Sequence, residues 1–220
     1  MLFYLLTILG YFFAFLVAVT IHEFSHAYVA DQLGDPTPKL SGRLTLNPLS
    51  HIDLFGTILL PFFLLLTNAS FFIAWAKPVP FDPFNLKNPR RDAALISLAG
   101  PLSNLILAVI VSFFLRLVIF FHLRHSLIFI FLNPFLSSFI YINVLLAIFN
   151  LLPIHPLDGF KIVGGLLDEN QAKEWYKLES YGVLFLLLLI FPFGSSAMIT
   201  KIIGPVVNFI LSLLIPGKIL

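Results

Sequence analysis

Cysteine is absent from the sequence, so neither disulfide bonds nor thiolate metal ligands are available to it. Charge is scarce as well: Asp, Glu, Lys and Arg make up 11% of the 220 residues, less than half of the roughly 25% typical of soluble proteins. The net charge of +2 is too small and too scattered to indicate a nucleic-acid partner. Hydrophobic residues account for 59% of the chain, and its mean hydropathy is +0.99. This composition excludes a soluble globular domain and indicates a membrane protein.

Long apolar segments cover most of the chain, and several reach the roughly 20 residues that cross the hydrocarbon core of a bilayer. The first ends at Gly34-Asp35-Pro36, a typical helix stop, and the last is broken at Pro192-Phe193-Gly194. We predict an all-α, polytopic membrane protein with about five to six transmembrane helices, forming a single domain over residues 1–220. The predicted helices are 2–33, 93–121, 127–151, 157–168, 181–192 and 195–215.

The first helix carries the sequence His22-Glu23-Phe24-Ser25-His26, an HExxH pattern. Histidines four residues apart lie one turn apart on one helix face, which is the spacing that two ligands of a zinc ion need. Glu23 is placed to act as general base toward a metal-activated water. Ionisable side chains in an apolar membrane helix cost several kcal/mol unless they are paired or coordinated, which favours a metal site. A polar cluster that binds a neighbouring helix, or a proton relay, is the alternative.

A catalytic zinc site usually has three protein ligands and one open position, so the two histidines lack a third. Asp158 is the preferred candidate because it follows the span 127–151 in the sequence Asn150-Leu-Leu-Pro-Ile-His-Pro-Leu-Asp-Gly159, where two prolines interrupt the helix. Broken helices at membrane depth usually line a functional site. An Asp-Gly turn at a helix end is the structural alternative for Asp158. Other acidic candidates lie in the hydrophilic stretch that follows: Asp168, Glu169, Glu174 and Glu179.

The region 34–92 differs from the rest because prolines and turn residues interrupt it. Its apolar part, 53–75, contains three residues that disfavour a continuous crossing: Gly56, Pro61 and Asn68. We therefore expect a re-entrant segment, which dips into the membrane and returns to its own side while protein covers its backbone. The pieces 40–47 and 75–81 have extended character and predict a small extended or β region near the active site.

The motifs resemble those of the site-2 protease family, the intramembrane zinc metalloproteases of peptidase family M50. His22 to His26 match the HExxH of that family, and Asn150 to Gly159 match its second motif, an Asn, a Pro and a terminal Leu-Asp-Gly. The compact prokaryotic branch is indicated, because no insertion of the size of a PDZ domain is present. Three further segments are similar to that branch: Gly34-Asp35-Pro36-Thr37, Ala76-Lys77-Pro78-Val79-Pro80 and Ala99-Gly100-Pro101-Leu102-Ser103-Asn104.

The resemblance implies one Zn²⁺ per chain, bound by His22, His26 and Asp158, with Glu23 as the catalytic base. It implies a zinc metalloendopeptidase that cuts transmembrane protein substrates within or near the membrane, in regulated intramembrane proteolysis. The chain departs from the family at His155, a position that is more often proline or a small residue. We expect His155 to line the mouth of the site rather than to bind the metal.

Two asparagines are candidate substrate-binding residues, Asn150 and Asn104. Either side chain could hydrogen-bond the substrate backbone or the oxyanion that develops during hydrolysis. For Asn104, a contact between helices beside Gly100 is the alternative. A helical substrate must unwind before it can be cut, and an extended enzyme segment could pair with the unwound peptide by β-augmentation. The resemblance implies that the region 34–92 does this.

The basic residues fall mostly on one side of the membrane if 53–75 is re-entrant, and the positive-inside rule makes that side cytosolic. We predict a multi-pass protein of a prokaryotic cell membrane with the active site toward the cytosol. Its predicted partners are a transmembrane protein substrate and the lipid bilayer, with no nucleic acid; the oligomeric state is left open. Two rival functions are a non-proteolytic membrane zinc-binding protein and a membrane zincin whose third ligand is a glutamate.

Overall fold

The computed structural model describes residues 2–67, 74–121, 127–191 and 197–216. Their regular structure is helical and contains no β-sheet, which confirms the predicted all-α class. Three of the helical segments are long and apolar enough to cross a membrane: Gly10–Gln32, Pro89–Phe120 and Leu132–Asn150. These segments agree with the predicted membrane protein.

The described residues form α-helices joined by short turns. The helices are α1 (Leu2–Gln32), α2 (Thr37–Leu40), α3 (Leu60–Leu66), α4 (Pro89–Phe120), α5 (Leu127–Asn150), α6 (Asp158–Leu166), α7 (Glu169–Lys177), α8 (Glu179–Ile190) and α9 (Met198–Leu214). A π-helix, Leu54–Leu59, leads directly into α3, and 3₁₀ turns lie at Pro48–Ser50 and Pro83–Asn85.

The helices α1, α4 and α5 pack against one another, and α6 lies against α4. Small side chains allow the helices to approach closely, because four alanines of α1 are completely buried: Ala14, Ala18, Ala27 and Ala30. A second apolar core joins α4, α5 and α9 through Leu115, Ile140, Val144 and Leu211. The outer face of α4 is apolar and exposed, as expected of a surface that contacts lipid; Phe113 is one of its members.

Two helix predictions need correction in the polar parts of the chain. Helix α4 begins at Pro89, four residues before the predicted start, because its polar first turn caps itself: the Asp92 carboxylate accepts the backbone N–H of Asn88 at 2.8 Å. The predicted helix 157–168 ends at Leu166, and the unpredicted α7 follows it. Because α7 is short and hydrophilic, a prediction based on long apolar segments does not detect it.

The last two predicted helices agree with the structure within a few residues. Helix α8 begins at Glu179, two residues before the predicted start, and α9 runs from Met198 to Leu214. The ends of these predictions at 192 and at 195–196 lie outside the described residues.

The region 34–92 contains no strand in its described part. Of the predicted extended piece 40–47, Leu40 is the last residue of α2 and turns follow it. The other piece is extended without forming a sheet, and we call residues 74–82 the covering segment. Its backbone N–H groups at Trp75 and Lys77 donate to the carbonyls of Gly56 at 3.2 Å and His51 at 2.9 Å. The chain thus returns at Trp75 to the beginning of the π-helix.

Candidate metal and catalytic site

Helix α1 presents two imidazole rings to the interior of the bundle. His22 and His26 are buried, and their ring centroids lie 4.6 Å apart with the ring planes nearly perpendicular. The i, i+4 spacing places both on the face that contacts α4. Two buried histidines in one apolar helix need partners, and α4 supplies them.

Gly100 allows α4 to come close to the two rings. A Cβ atom at this position would lie 2.5 Å from Nε2 of His26 and 2.7 Å from Cε1 of His22, far inside van der Waals contact. Only a residue without a side chain fits there while both rings keep their positions. The sequence similarity around Gly100 therefore has a steric reason.

A chain of buried amides fixes the orientation of His22. Its Nδ1 lies 2.6 Å from Oδ1 of Asn104, whose amide nitrogen donates to the carbonyl of Ala18 at 3.0 Å and to Oδ1 of Asn143 at 2.9 Å. Asn143 in turn donates to the carbonyl of Phe139 at 2.9 Å. Because both amide nitrogens are committed as donors, Oδ1 of Asn104 must accept from His22. In the neutral ring of His22 the proton is therefore on Nδ1, and Nε2 carries the lone pair.

His26 has the same tautomer for a different reason. Its Nδ1 lies 2.7 Å from the backbone carbonyl of Ile96 in α4, which can only accept a hydrogen bond. Nδ1 is therefore the donor, and the lone pair of Nε2 points away from Ile96. Hydrogen bonds of this kind from the far ring nitrogen are typical of metal-ligating histidines.

Asp158 meets the two imidazoles at the first residue of α6. Its Oδ2 lies 3.1 Å from Nε2 of His22 and 3.3 Å from Nε2 of His26. Gly159 makes this turn feasible, because a Cβ atom there would lie 2.3 Å from the carbonyl oxygens of Leu151 and Leu152. The Leu-Asp-Gly sequence thus directs an acidic side chain inward.

The three side chains fit a zinc ion. One ligand atom from each of His22, His26 and Asp158 lies within 4.8 Å of the other two. Zinc bonds of about 2.0–2.1 Å in a tetrahedron place ligand atoms roughly 3.3 Å apart, close to the separations seen here. Two imidazole lone pairs and a carboxylate oxygen that converge in this way repel one another unless a cation lies between them. The donor set of two nitrogens and one oxygen is common in catalytic zinc sites.

Glu23 lies beside this group and lines the same cavity. The cavity has a volume of about 130 Å³, and its polar lining includes Glu23, Asn150, Asp158 and Lys161. Oε2 of Glu23 accepts the backbone N–H of Val79, from the covering segment, at 3.0 Å. One carboxylate oxygen is thereby fixed, and the segment forms a wall of the cavity.

The two predicted substrate-binding asparagines lie in different places. Asn150 lines the cavity, and its amide nitrogen donates to the carbonyl of Leu146 at 2.9 Å. Asn104 is completely buried behind His22, with its donor and acceptor groups engaged as described above. The geometry brings Asn104 to the His22 ring rather than to the cavity.

His155 and the acidic alternatives to Asp158 lie away from the two histidines of α1. His155 borders a separate apolar cavity of about 480 Å³, and its Nδ1 lies 3.5 Å from Glu179. Glu169 and Glu174 are exposed on α7, where they pair with lysines of the same helix. Asp168 caps the start of α7 by accepting the backbone N–H of Gln171 at 2.8 Å.

A second buried carboxylate, Asp35, fastens the covering segment to the end of α1. It accepts the backbone N–H of Thr37 at 3.0 Å, the Thr37 hydroxyl at 2.5 Å, the amide of Asn85 at 2.8 Å and the backbone N–H of Asp82 at 2.7 Å. Burial raises the pKa of Asp35, but these donors together outweigh it and hold the pKa below its ordinary value.

The sequence interpretation missed several parts of this site. Asn143 was detectable in the sequence, because an amide side chain within an apolar span needs a hydrogen-bond partner. Its sequence position does not show that this partner is Asn104. The carbonyl of Ile96 and the N–H of Val79 are backbone atoms, which no residue type reveals. Lys161 also lines the cavity, and no motif in the sequence around it indicates this position.

The chain is similar to known proteins over most of its length. The family model described as peptidase family M50 matches residues 10–129 and 118–191. YwhC of Bacillus subtilis (strain 168), whose name gives it as a proposed zinc metalloprotease, is 42% identical over 197 residues, which is 88% of this chain and 86% of that protein. Rip2 of Mycolicibacterium smegmatis, named in the same way, is 28% identical over 175 residues, 80% of this chain and 64% of that protein. No solved structure matches the chain significantly.

Proposed function

The chain belongs to peptidase family M50, and on that basis we propose that it is an intramembrane zinc metalloprotease that hydrolyses peptide bonds of transmembrane proteins within or near the membrane. One observation carries the proposal: His22, His26 and Asp158 converge on a single point beside Glu23 in a cavity within the helix bundle. The peptide bond to be cut in a transmembrane substrate lies at membrane depth. An enzyme that cuts it therefore needs its catalytic site among its own membrane helices.

We propose that Nε2 of His22, Nε2 of His26 and a carboxylate oxygen of Asp158 hold one Zn²⁺. The tautomers assigned from Asn104 and Ile96 leave the required lone pairs available. When bound, zinc supplies a Lewis acid that polarises the scissile carbonyl and makes water more acidic. Three protein ligands leave a fourth position for the reaction, as in other catalytic zinc sites.

Glu23 acts as the base in this proposal. The N–H of Val79 holds Oε2, so Oε1 is the oxygen that accepts a proton from the attacking water. The carbon–oxygen bond then forms, the carbon–nitrogen bond breaks, and Glu23 delivers the same proton to the leaving amine. The carboxylate is regenerated, and no other proton source is required.

Asn150 and Asn104 receive separate roles. Asn150 lines the cavity, and we propose that it contacts the substrate backbone or the developing oxyanion. Asn104 is proposed to orient His22, because its oxygen holds the ring and its nitrogen already has two acceptors. Groups that orient metal ligands typically change metal affinity by 10–100-fold when they are removed.

We propose that residues 53–75 form a re-entrant segment. The six residues of the π-helix and the seven of α3 rise about 20 Å together, less than the roughly 30 Å of a bilayer core. The Thr57 hydroxyl donates to the carbonyl of Trp75 at 2.7 Å, so the two ends of the segment lie beside each other, which supports a return to the same side. The basic residues around it then lie on one side, which is cytosolic by the positive-inside rule.

We propose that the chain forms a single membrane-embedded domain. This domain covers residues 1–220, and the shorter apolar helices α8 and α9 join the three long spans to give five of the predicted five to six membrane helices. The covering segment is the extended piece available to pair with an unwound substrate by β-augmentation. Its Pro78 and Pro80 have no N–H, so the edge to which they belong offers mainly carbonyl acceptors.

Two substitutions test the proposed function. Glu23→Gln preserves shape and removes the base, so it should keep stoichiometric zinc and lower turnover by at least about 10²-fold. Asp158→Ala should lose both zinc and activity, while the matched control Glu169→Ala should keep both. Zinc is measured by mass spectrometry of the purified protein, and cleavage on a panel of model transmembrane peptides. Retained zinc in Asp158→Ala would favour the glutamate-ligand zincin; zinc without cleavage of any peptide would favour the non-proteolytic protein.

A further inference from the structure

Lys161 places a positive charge in the wall of the proposed active site. It lies on α6, one turn after Asp158, and lines the cavity together with Glu23 and Asn150. Among the described residues that line this cavity, Lys161 is the single lysine or arginine. The residue as a whole is half-buried.

The Lys161 ammonium group has no acidic partner in the described part of the chain. Its Nζ lies over the Phe81 ring, 4.7 Å from the centroid. The lysines of α7 behave differently: Lys173 pairs with Glu169 at 3.0 Å and Lys177 with Glu174 at 2.6 Å. A cation–π contact fixes the position of an ammonium group without neutralising its charge.

The position of Phe81 ties this cation to the substrate path. Phe81 belongs to the covering segment, two residues after Val79, whose N–H meets Glu23. The ammonium group is therefore held between α6 and the segment that forms the opposite wall. Because Lys161 and Glu23 line the same small cavity, a peptide bound at Glu23 lies close to the ammonium group.

The charges of the proposed site leave Lys161 uncompensated. Zinc held by neutral His22 and His26 and by the Asp158 carboxylate would carry one net positive charge, which the Glu23 carboxylate of the same cavity balances. A peptide backbone is neutral, so it offers this cation no countercharge. The anions that a protein substrate carries are carboxylates, either on its acidic side chains or at its C-terminus.

We propose that Lys161 is a specificity-determining residue that binds a carboxylate of the substrate close to the scissile bond. This inference rests on the proposed proteolytic function. The carboxylate belongs either to a Glu or Asp side chain that flanks the cut or to the free C-terminus of a shortened substrate. Both sources share one chemistry, and separate arms of one experiment distinguish them.

The experiment uses the full chain in lipid nanodiscs with model transmembrane peptides. One arm places a single Glu, or Gln as its neutral match, at each position flanking the cut in turn; the other compares a C-terminal carboxylate with a C-terminal amide. We expect one carboxylate position to raise kcat/KM by about tenfold over its neutral match. This ratio corresponds to the lower end of the free-energy range for a hydrogen bond to a charged group. Lys161→Met should abolish that ratio, and Lys161→Glu should reverse it in favour of a peptide with Lys at that position.

The control variant is Lys173→Met, which removes an ion-paired lysine outside the cavity and should leave the ratio unchanged. Zinc content is measured for every variant, because a merely structural role of Lys161 would change metal content or all peptides alike. Equal rates for charged and neutral peptides, or a ratio that survives Lys161→Met, would overturn the inference and leave the protease intact. If the wild-type protein cleaved no peptide, the proposed function would fail and this inference with it.

Discussion

Replacement of Gly100 by alanine tests the steric basis of the site most directly. The added Cβ would lie 2.5 Å from Nε2 of His26 and 2.7 Å from Cε1 of His22. Non-bonded heavy atoms in contact lie about 3.5–4.0 Å apart, so the rings must retreat by about 1 Å. They are not free to do so, because Asn104 and Ile96 hold their Nδ1 atoms. Zinc sites hold their ligand distances to within about 0.2 Å, far less than this displacement.

We therefore expect Gly100→Ala to weaken zinc binding by at least about 10–100-fold, the range seen when an orienting group is lost. Helix propensity works in the other direction, since alanine is better than glycine in a helix by about 1 kcal/mol, so α4 itself should still form. The assay is zinc content after dialysis against a series of zinc buffers, with peptide cleavage measured in parallel. The control is Gly204→Ala in α9, where an added Cβ meets no atom of the described residues within 4 Å. An unchanged zinc Kd in Gly100→Ala would refute the reasoning.

Four further predictions follow from other contacts. Asn104→Ala should raise the zinc Kd by about 10–100-fold, measured by the same dialysis, because the amide orients a metal ligand. The pKa of Asp35 is lowered in the folded protein, so its stabilising contribution is complete above the ordinary carboxyl pKa and is lost as the pH falls through the lowered value. Asp35→Asn should therefore lower the thermal unfolding midpoint at pH 7 and differ less from wild type in strong acid. His155→Pro should keep stoichiometric zinc, since its imidazole pairs with an acid beyond the metal ligands; metal loss would contradict this. Single cysteines at Ser41 and at Phe84, which is 97% exposed, should react with a membrane-impermeant reagent from the same side, and opposite sides would mean that 53–75 crosses.

The local part of the site was predictable from sequence because helix geometry fixes it. His22 and His26 must share a face at a spacing of four, and Glu23 must lie beside them. Asp158 required a separate inference, since nothing in its spacing shows that α6 begins at the two histidines. The prolines before it and the glycine after it indicated a broken helix, which was the useful signal.

The partners of these residues were beyond sequence reasoning because they are distant in the chain and often belong to the backbone. Asn104 is 82 residues from His22, and Val79 is 56 residues from Glu23. The fold showed the same division: the long apolar spans were predicted, whereas the polar helix α7 was missed. The extended covering segment was predicted as extended, but only tertiary contacts show what it covers.

The buried amides behind His22 connect α1 with α4 and α5. Asn143 belongs to α5, which carries none of the proposed zinc ligands, yet it contacts Asn104, the residue that holds His22. Any ligand that binds only the folded form stabilises it, and here that free energy is shared among α1, α4 and α5. Zinc would thus stabilise the membrane bundle as well as supply the Lewis acid for catalysis. The stability of the folded bundle would then depend on the zinc concentration, as activity does.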